Sequence, residues 1–186
     1  MKFKSVGFAV AAASFAAFGS ASAAVMVVGT GPELACYHSA KAGETSNLAI
    51  KDCTEALKNS ELSPRDRAAT YTNRSAMLVT RGDAERALAD TDAALRIEPS
   101  MTAASVNRAA ALLELERYEE ARATIDAAIP LATGPDLQRG LYNRAVAREA
   151  LGDVKGAYAD LKRAVELDPG FEAAKLELTR YQVISK

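Results

Sequence analysis

Three short stretches pair an asparagine with an arginine: Asn73-Arg74-Ser75, Asn107-Arg108-Ala109 and Asn143-Arg144-Ala145. An asparagine amide offers both donors and an acceptor, which is what a ligand's peptide backbone requires. An arginine guanidinium offers a rigid fork of donors and no acceptor, so it calls for a carboxylate. Arg74 stands in the middle of the helical stripe Tyr71, Ser75 and Leu78, where an apolar side chain is the usual choice. Other reactive groups are sparse. Cys36, His38 and Cys53 are a metal-site alternative, but His38 is the only histidine and a fourth ligand would have to be acidic. Cys36-Tyr37-His38 lacks the second cysteine of a haem attachment motif. Ser75 has no base nearby in sequence, and Val25–Gly31 is no phosphate loop between a strand and a helix. The chain therefore reads as non-enzymatic and without a cofactor, a metal or catalytic site around Cys36 being the remote alternative.

The elements that position these residues emerge once the N-terminus is set aside. Lys2 and Lys4 precede about 14 weakly apolar residues, 6–19, and Ala21-Ser22-Ala23 completes the pattern of a secretory signal peptide over 1–23. The run is too short and alanine-rich for a stable membrane anchor, which needs about 20 apolar residues. The expected mature chain is exported, and periplasmic if the source is a bacterium. Without Lys2 and Lys4 it carries 21 basic and 24 acidic residues. That balance argues against nucleic acid, which demands clustered Lys and Arg, and no basic amphipathic helix suits a lipid surface. An even cysteine count in an exported chain favours a Cys36–Cys53 disulfide. Abundant alanine and leucine point to an all-α fold.

The chain repeats itself. Ala49, Ala87, Ala121 and Ala157 head equivalent helices, at steps of 38, 34 and 36 residues. Each of the last three is preceded by a helix bearing the Asn-Arg pair, and Gly82-Asp83 and Gly152-Asp153 close one helix and open the next. A period near 34 built from two amphipathic helices means a helical solenoid. The fullest copy runs Leu141, Ala145, Gly152, Ala157, Leu161, Ala164 and Pro169. In these residues the chain resembles the tetratricopeptide repeat family, over about residues 33–184. The middle copy departs from the pattern, with Glu116-Arg117 in place of Gly-Asp and Pro130 in its last turn.

The resemblance implies a right-handed solenoid of helical hairpins. Its expected divisions are a flexible segment at 24–32, a degenerate cap repeat at 33–62, repeats at 63–99, 100–134 and 135–169, and a capping helix at 170–186. It also implies a concave groove lined by each unit's first helix, offering Thr72, Asn73, Ala76, Val106, Asn107, Ala110, Tyr142, Asn143 and Val146 to a peptide or protein partner. Residues 24–32 are themselves a candidate occupant. Arg139 is the only basic candidate nearby, so the lysines by which some members grip a terminal carboxylate are missing. The arginines turn toward the second helix, 16 residues on: Arg74 toward Asp90 and Arg144 toward Asp160. Arg108 meets Thr124 there, leaving Asp126, Glu120 or solvent. The expected function is a protein-interaction module; a self-associating or structural subunit of a larger assembly is the alternative.

Overall fold

The Ser63 hydroxyl accepts the Asp66 N–H at 3.1 Å, and Pro64 fills the first turn, where no backbone donor is needed. This start opens one of nine helices among the described residues, which in this computed structural model are 2–5, 23–28 and 31–184. The helices are α1 (Pro32–Lys41), α2 (Asn47–Lys58), α3 (Pro64–Thr80), α4 (Ala84–Ile97), α5 (Thr102–Glu114), α6 (Tyr118–Ala128), α7 (Gly134–Ala150), α8 (Val154–Leu167) and α9 (Glu172–Leu178). The apolar run of the expected signal peptide lies outside the described residues.

The helices stack as hairpins, α1 with α2, α3 with α4, α5 with α6, and α7 with α8. The first helices also pack on one another in a row, α1 on α3, α3 on α5 and α5 on α7. No comparable row joins α2, α4, α6 and α8. A row of helices in mutual contact lies on the tighter side of a curved stack, so α1, α3, α5 and α7 form the concave layer. Fully buried alanines, among them Ala68, Ala94 and Ala104, let neighbouring helices approach closely. Met77, Leu78, Leu112, Ile125 and Leu161 fill the spaces between the layers.

Within a hairpin the chain reverses through a left-handed residue. Gly82 (φ +78°) and Gly152 (φ +85°) fill this role, and the next N–H returns to the preceding turn, Asp83 to Leu78 O and Asp153 to Arg148 O. In the middle hairpin Glu116 takes the same conformation (φ +58°), and Arg117 N–H reaches Leu112 O at 2.8 Å. The backbone motif is thus kept without its glycine. Asp153 caps α8 by accepting the Gly156 N–H at 2.9 Å. Asp83 makes no such cap bond and pairs with Arg86 at 2.8 Å.

The C-terminus differs from the single capping helix expected over 170–186. Helix α9 stops at Leu178, and β2 (Tyr181–Ile184) pairs antiparallel with β1 (Lys2–Ser5), Lys2 opposite Ile184 and Ser5 opposite Tyr181. The sequence gives no convincing strand, and the expected signal segment contributes one of these two. The physical reason lies in Arg180 and Tyr181. Both bind Glu149 of α7, at 3.0 and 2.9 Å, which fixes the chain just after α9. Tyr-Gln-Val-Ile is richer in strand formers than in helix formers.

Candidate peptide-binding face

Residues 23–28, expected to belong partly to a flexible segment, run extended across the concave layer. Their anchors are two asparagine amides. Asn73, fully buried on α3, accepts the Val25 N–H at 2.7 Å and donates to the Val25 carbonyl at 2.8 Å. Asn107 on α5 accepts the Ala23 N–H at 3.2 Å and donates to the Ala23 carbonyl at 3.3 Å. Asp66 at the start of α3 accepts the Val28 N–H at 3.2 Å. Each amide reads both polar groups of one residue, and the residues read are two apart. In an extended chain, residues two apart present their N–H and C=O groups along the same edge.

Asparagine also ties hairpin to hairpin. Asn107 Nδ2 lies 3.2 Å from the Thr72 carbonyl and 3.2 Å from the Ser75 hydroxyl. Asn143 repeats the first of these contacts, donating to the Val106 carbonyl at 3.1 Å. The three asparagines therefore divide: Asn73 and Asn107 hold the extended segment, whereas Asn143 joins α7 to α5. The residues just before them face the neighbouring hairpin. Thr72 is fully buried, its hydroxyl donating to the Ala68 carbonyl and 3.1 Å from Met101 Sδ. Val106 packs with Leu112 and Ile125, and Tyr142 stacks on Phe171 with ring centres 5.5 Å apart. Burial pushes the Tyr142 phenol up to about 12. Ala76 and Ala110 are buried, and Val146 is half-buried beside the core of α5 and α6.

Beside Ala24 a hollow of about 370 Å³ opens between the two ends of the concave layer. Tyr37 and Lys41 of α1 form one wall; Thr133, Pro135, Asp136 and Arg139 at the start of α7 form the other. Burial lowers the pKa of Arg139, and nearby Asp136 acts against that shift. Sequence reasoning named Arg139 but missed Tyr37 and Lys41, because only the curvature of the stack brings α1 opposite α7.

The arginines form a second pattern, between the layers. Arg74 grips Asp90 with two bonds of 2.7 Å, and Arg144 grips Asp160 at 2.7 and 2.8 Å. The Asp90 hydrogen bond raises the Arg74 pKa despite burial. Arg108 bonds Thr124 at 2.6 Å and finds its carboxylate in Asp92, 2.8 Å away on α4. Asp126, one of the acceptors expected for it, is engaged instead by Arg144, at 2.9 Å. Arg74 likewise reaches back to Thr54 on α2 at 2.9 Å. Each of these three arginines thus spans its own second helix and the second helix of the preceding hairpin. The backward acceptors Thr54, Asp92 and Asp126 were missed as a set. Their signal was available, since each stands two residues after Asp52, Asp90 or Thr124, the equivalent positions of their helices.

At the N-terminal end, Cys36 and Cys53 are fully buried and joined in a disulfide, with Cα atoms 4.7 Å apart. Their sulfurs are consumed by that bond, which removes them as ligands for a metal beside His38. No group of three or more His, Cys, Asp or Glu residues among the described residues is placed to hold a metal ion.

Stacked helical hairpins with a shared concave layer define an α-solenoid. Tetratricopeptide repeat profiles match residues 78–145 and 138–171, together just over half of the chain. The chain belongs to the tetratricopeptide repeat family, which supports a role as a protein-interaction scaffold. Human sperm-associated antigen 1 is 36% identical over 84 residues, 45% of this chain and 9% of that protein. Mouse FK506-binding protein-like is 40% identical over 80 residues, 43% of this chain and 22% of that protein. The similarity thus spans under a quarter of either relative. Among solved structures, MamA 41-end from Desulfovibrio magneticus RS-1 superposes with a TM-score of 0.62 at 21% identity, covering 82% of this chain and 84% of that one. A MamA RS-1 double mutant gives 0.59 at 20% identity, over 83% and 94%. At such identities the likeness is one of fold.

Proposed function

We propose that this protein is a non-enzymatic, exported interaction module that holds an extended peptide segment on its concave layer. One observation carries the reading: Asn73 and Asn107 each satisfy both backbone groups of one residue in an extended segment. Such contacts supply affinity without consulting side chains, as when a peptide adds to a sheet edge. Export is part of the proposal. It is supported by the Lys-led apolar N-terminus, by Ala21-Ser22-Ala23 and by the buried disulfide, which persists in oxidising compartments. Among the described residues no helix is long and apolar enough to cross a membrane.

Capture from the exported fraction tests the reading with paired variants. Replacing Asn73 and Asn107 together by alanine should remove the captured partner, while Asn143→Ala, which only joins helices, should retain it. The same partners on both variants would contradict a groove function. Light scattering on the wild type separates this reading from self-association, for which the chain should be larger than one copy.

A further inference from the structure

The concave face is already occupied, and its occupant describes its ligand. Five hydrogen bonds hold residues 23–28 by their backbone alone. Selection must therefore come from where the side chains go. Ala23 is 1% exposed and Val27 4%, whereas Met26 is 69% exposed and Val28 81%. The face thus closes over a small residue and, four positions later, over a branched aliphatic one. It leaves the third and fifth positions after the small residue to solvent. The Val25 side chain is half-buried between these extremes.

We propose that residues 23–28 of the uncut chain are a resident copy of the ligand. The concave face takes an extended peptide with a small residue followed, four positions on, by a branched aliphatic one, and a partner of that chemistry enters by displacing the chain's own segment. This rests on the peptide-binding reading above. A segment tethered by only a few residues competes at an effective concentration in the millimolar range. The resident copy therefore suppresses weak ligands and admits those with a closer fit or additional contacts. The hollow beside Ala24, with Lys41 and Arg139 on its walls, lies next to the occupied track and offers room for such contacts.

The test uses the full chain and a fluorescent synthetic peptide of its own residues 21–28, followed by anisotropy. Val25→Pro removes the N–H that Asn73 accepts, and Val27→Asp places a charge in a closed site; together they release the segment. The released variant should bind the peptide at least about tenfold more tightly than wild type, as removal of a tethered competitor requires. Adding Asn73→Ala and Asn107→Ala should abolish that binding. A peptide carrying Val27→Asp should fail to bind, and one carrying Met26→Ala should bind normally. Retained helicity by circular dichroism verifies that each variant is folded, and a peptide with Val25→Pro offered to wild type gives a readout free of any change in the protein: it should bind less well than the unaltered peptide.

Equal, asparagine-dependent binding by wild type and released variant would overturn the resident-copy proposal and leave the groove reading standing. No binding by either would overturn both. Sedimentation showing that the segment sits in the groove of a second copy would also overturn the assignment to its own chain.

Discussion

Arg144 shows how one side chain holds several elements in register. It lies between Asp160 of its own hairpin and Asp126 of the preceding one, and Asp160 also accepts from Arg148 at 2.8 Å. The Asp160 side chain is 6% exposed, so without Arg144 it keeps only the Arg148 contact, and without Asp160 the Arg144 guanidinium keeps Asp126. Arg144→Ala or Asp160→Ala should each cost about 1.5–3 kcal/mol. The double variant should lose much less than their sum in a denaturation cycle; additive losses would disprove the coupling. Glu114 is a different case. It stands two helical turns after Asn107 on α5, and burial pushes its carboxyl up from 4.5 to about 7. Between those values the unfolded chain has released this proton and the folded chain retains it, so the contribution to stability falls as pH rises through the window. Urea titrations at the two ends should show a larger loss for wild type than for Glu114→Gln. Identical losses would mean that Glu114 titrates normally.

The turns and helix ends separate what the sequence could reveal from what it could not. The 16-residue step from arginine to partner was legible because two helices and a short turn fix that distance. Cys36 and Cys53, 17 residues apart, follow the same logic. The backward acceptors were legible only as a regular position two residues after each pairing residue, because their contact depends on how one hairpin leans on the next. The extended segment was legible as a candidate occupant of the groove, but not its contacts, because its anchors lie 48 and 84 residues away in sequence. Helix α9 was overextended for a local reason: the helical pattern of Lys175–Leu178 continues into residues whose side chains find better partners on α7. The Gly-Asp departure in the middle copy proved informative, because Glu116 still adopts the left-handed turn. A side chain there costs about 1–2 kcal/mol in strain. Glu116→Gly should recover about 1 kcal/mol of stability, less the added entropy of the unfolded glycine. A destabilised variant would show that the Glu116 side chain contributes more than its backbone strain costs.

At the scale of the whole molecule, curvature joins these parts. Packing of α1, α3, α5 and α7 in a row brings Asn73 and Asn107 onto one track and sets Lys41 opposite Arg139. The expected processing point falls within that track, between Ala23 on Asn107 and Val25 on Asn73. A chain cut there would keep the Asn73 clamp and leave Asn107 open to a partner. The expected leader also contributes β1 to the ladder with β2, so the same cut would free that edge. The central claim is that asparagine side chains hold an extended backbone on this face, and amide hydrogen exchange at Val25 tests it most directly. The account predicts that the Val25 N–H exchanges about tenfold or more slowly than that of its exposed neighbour Met26, and that Asn73→Ala erases the difference. Equal exchange at Val25 and Met26 in the wild-type chain would contradict it.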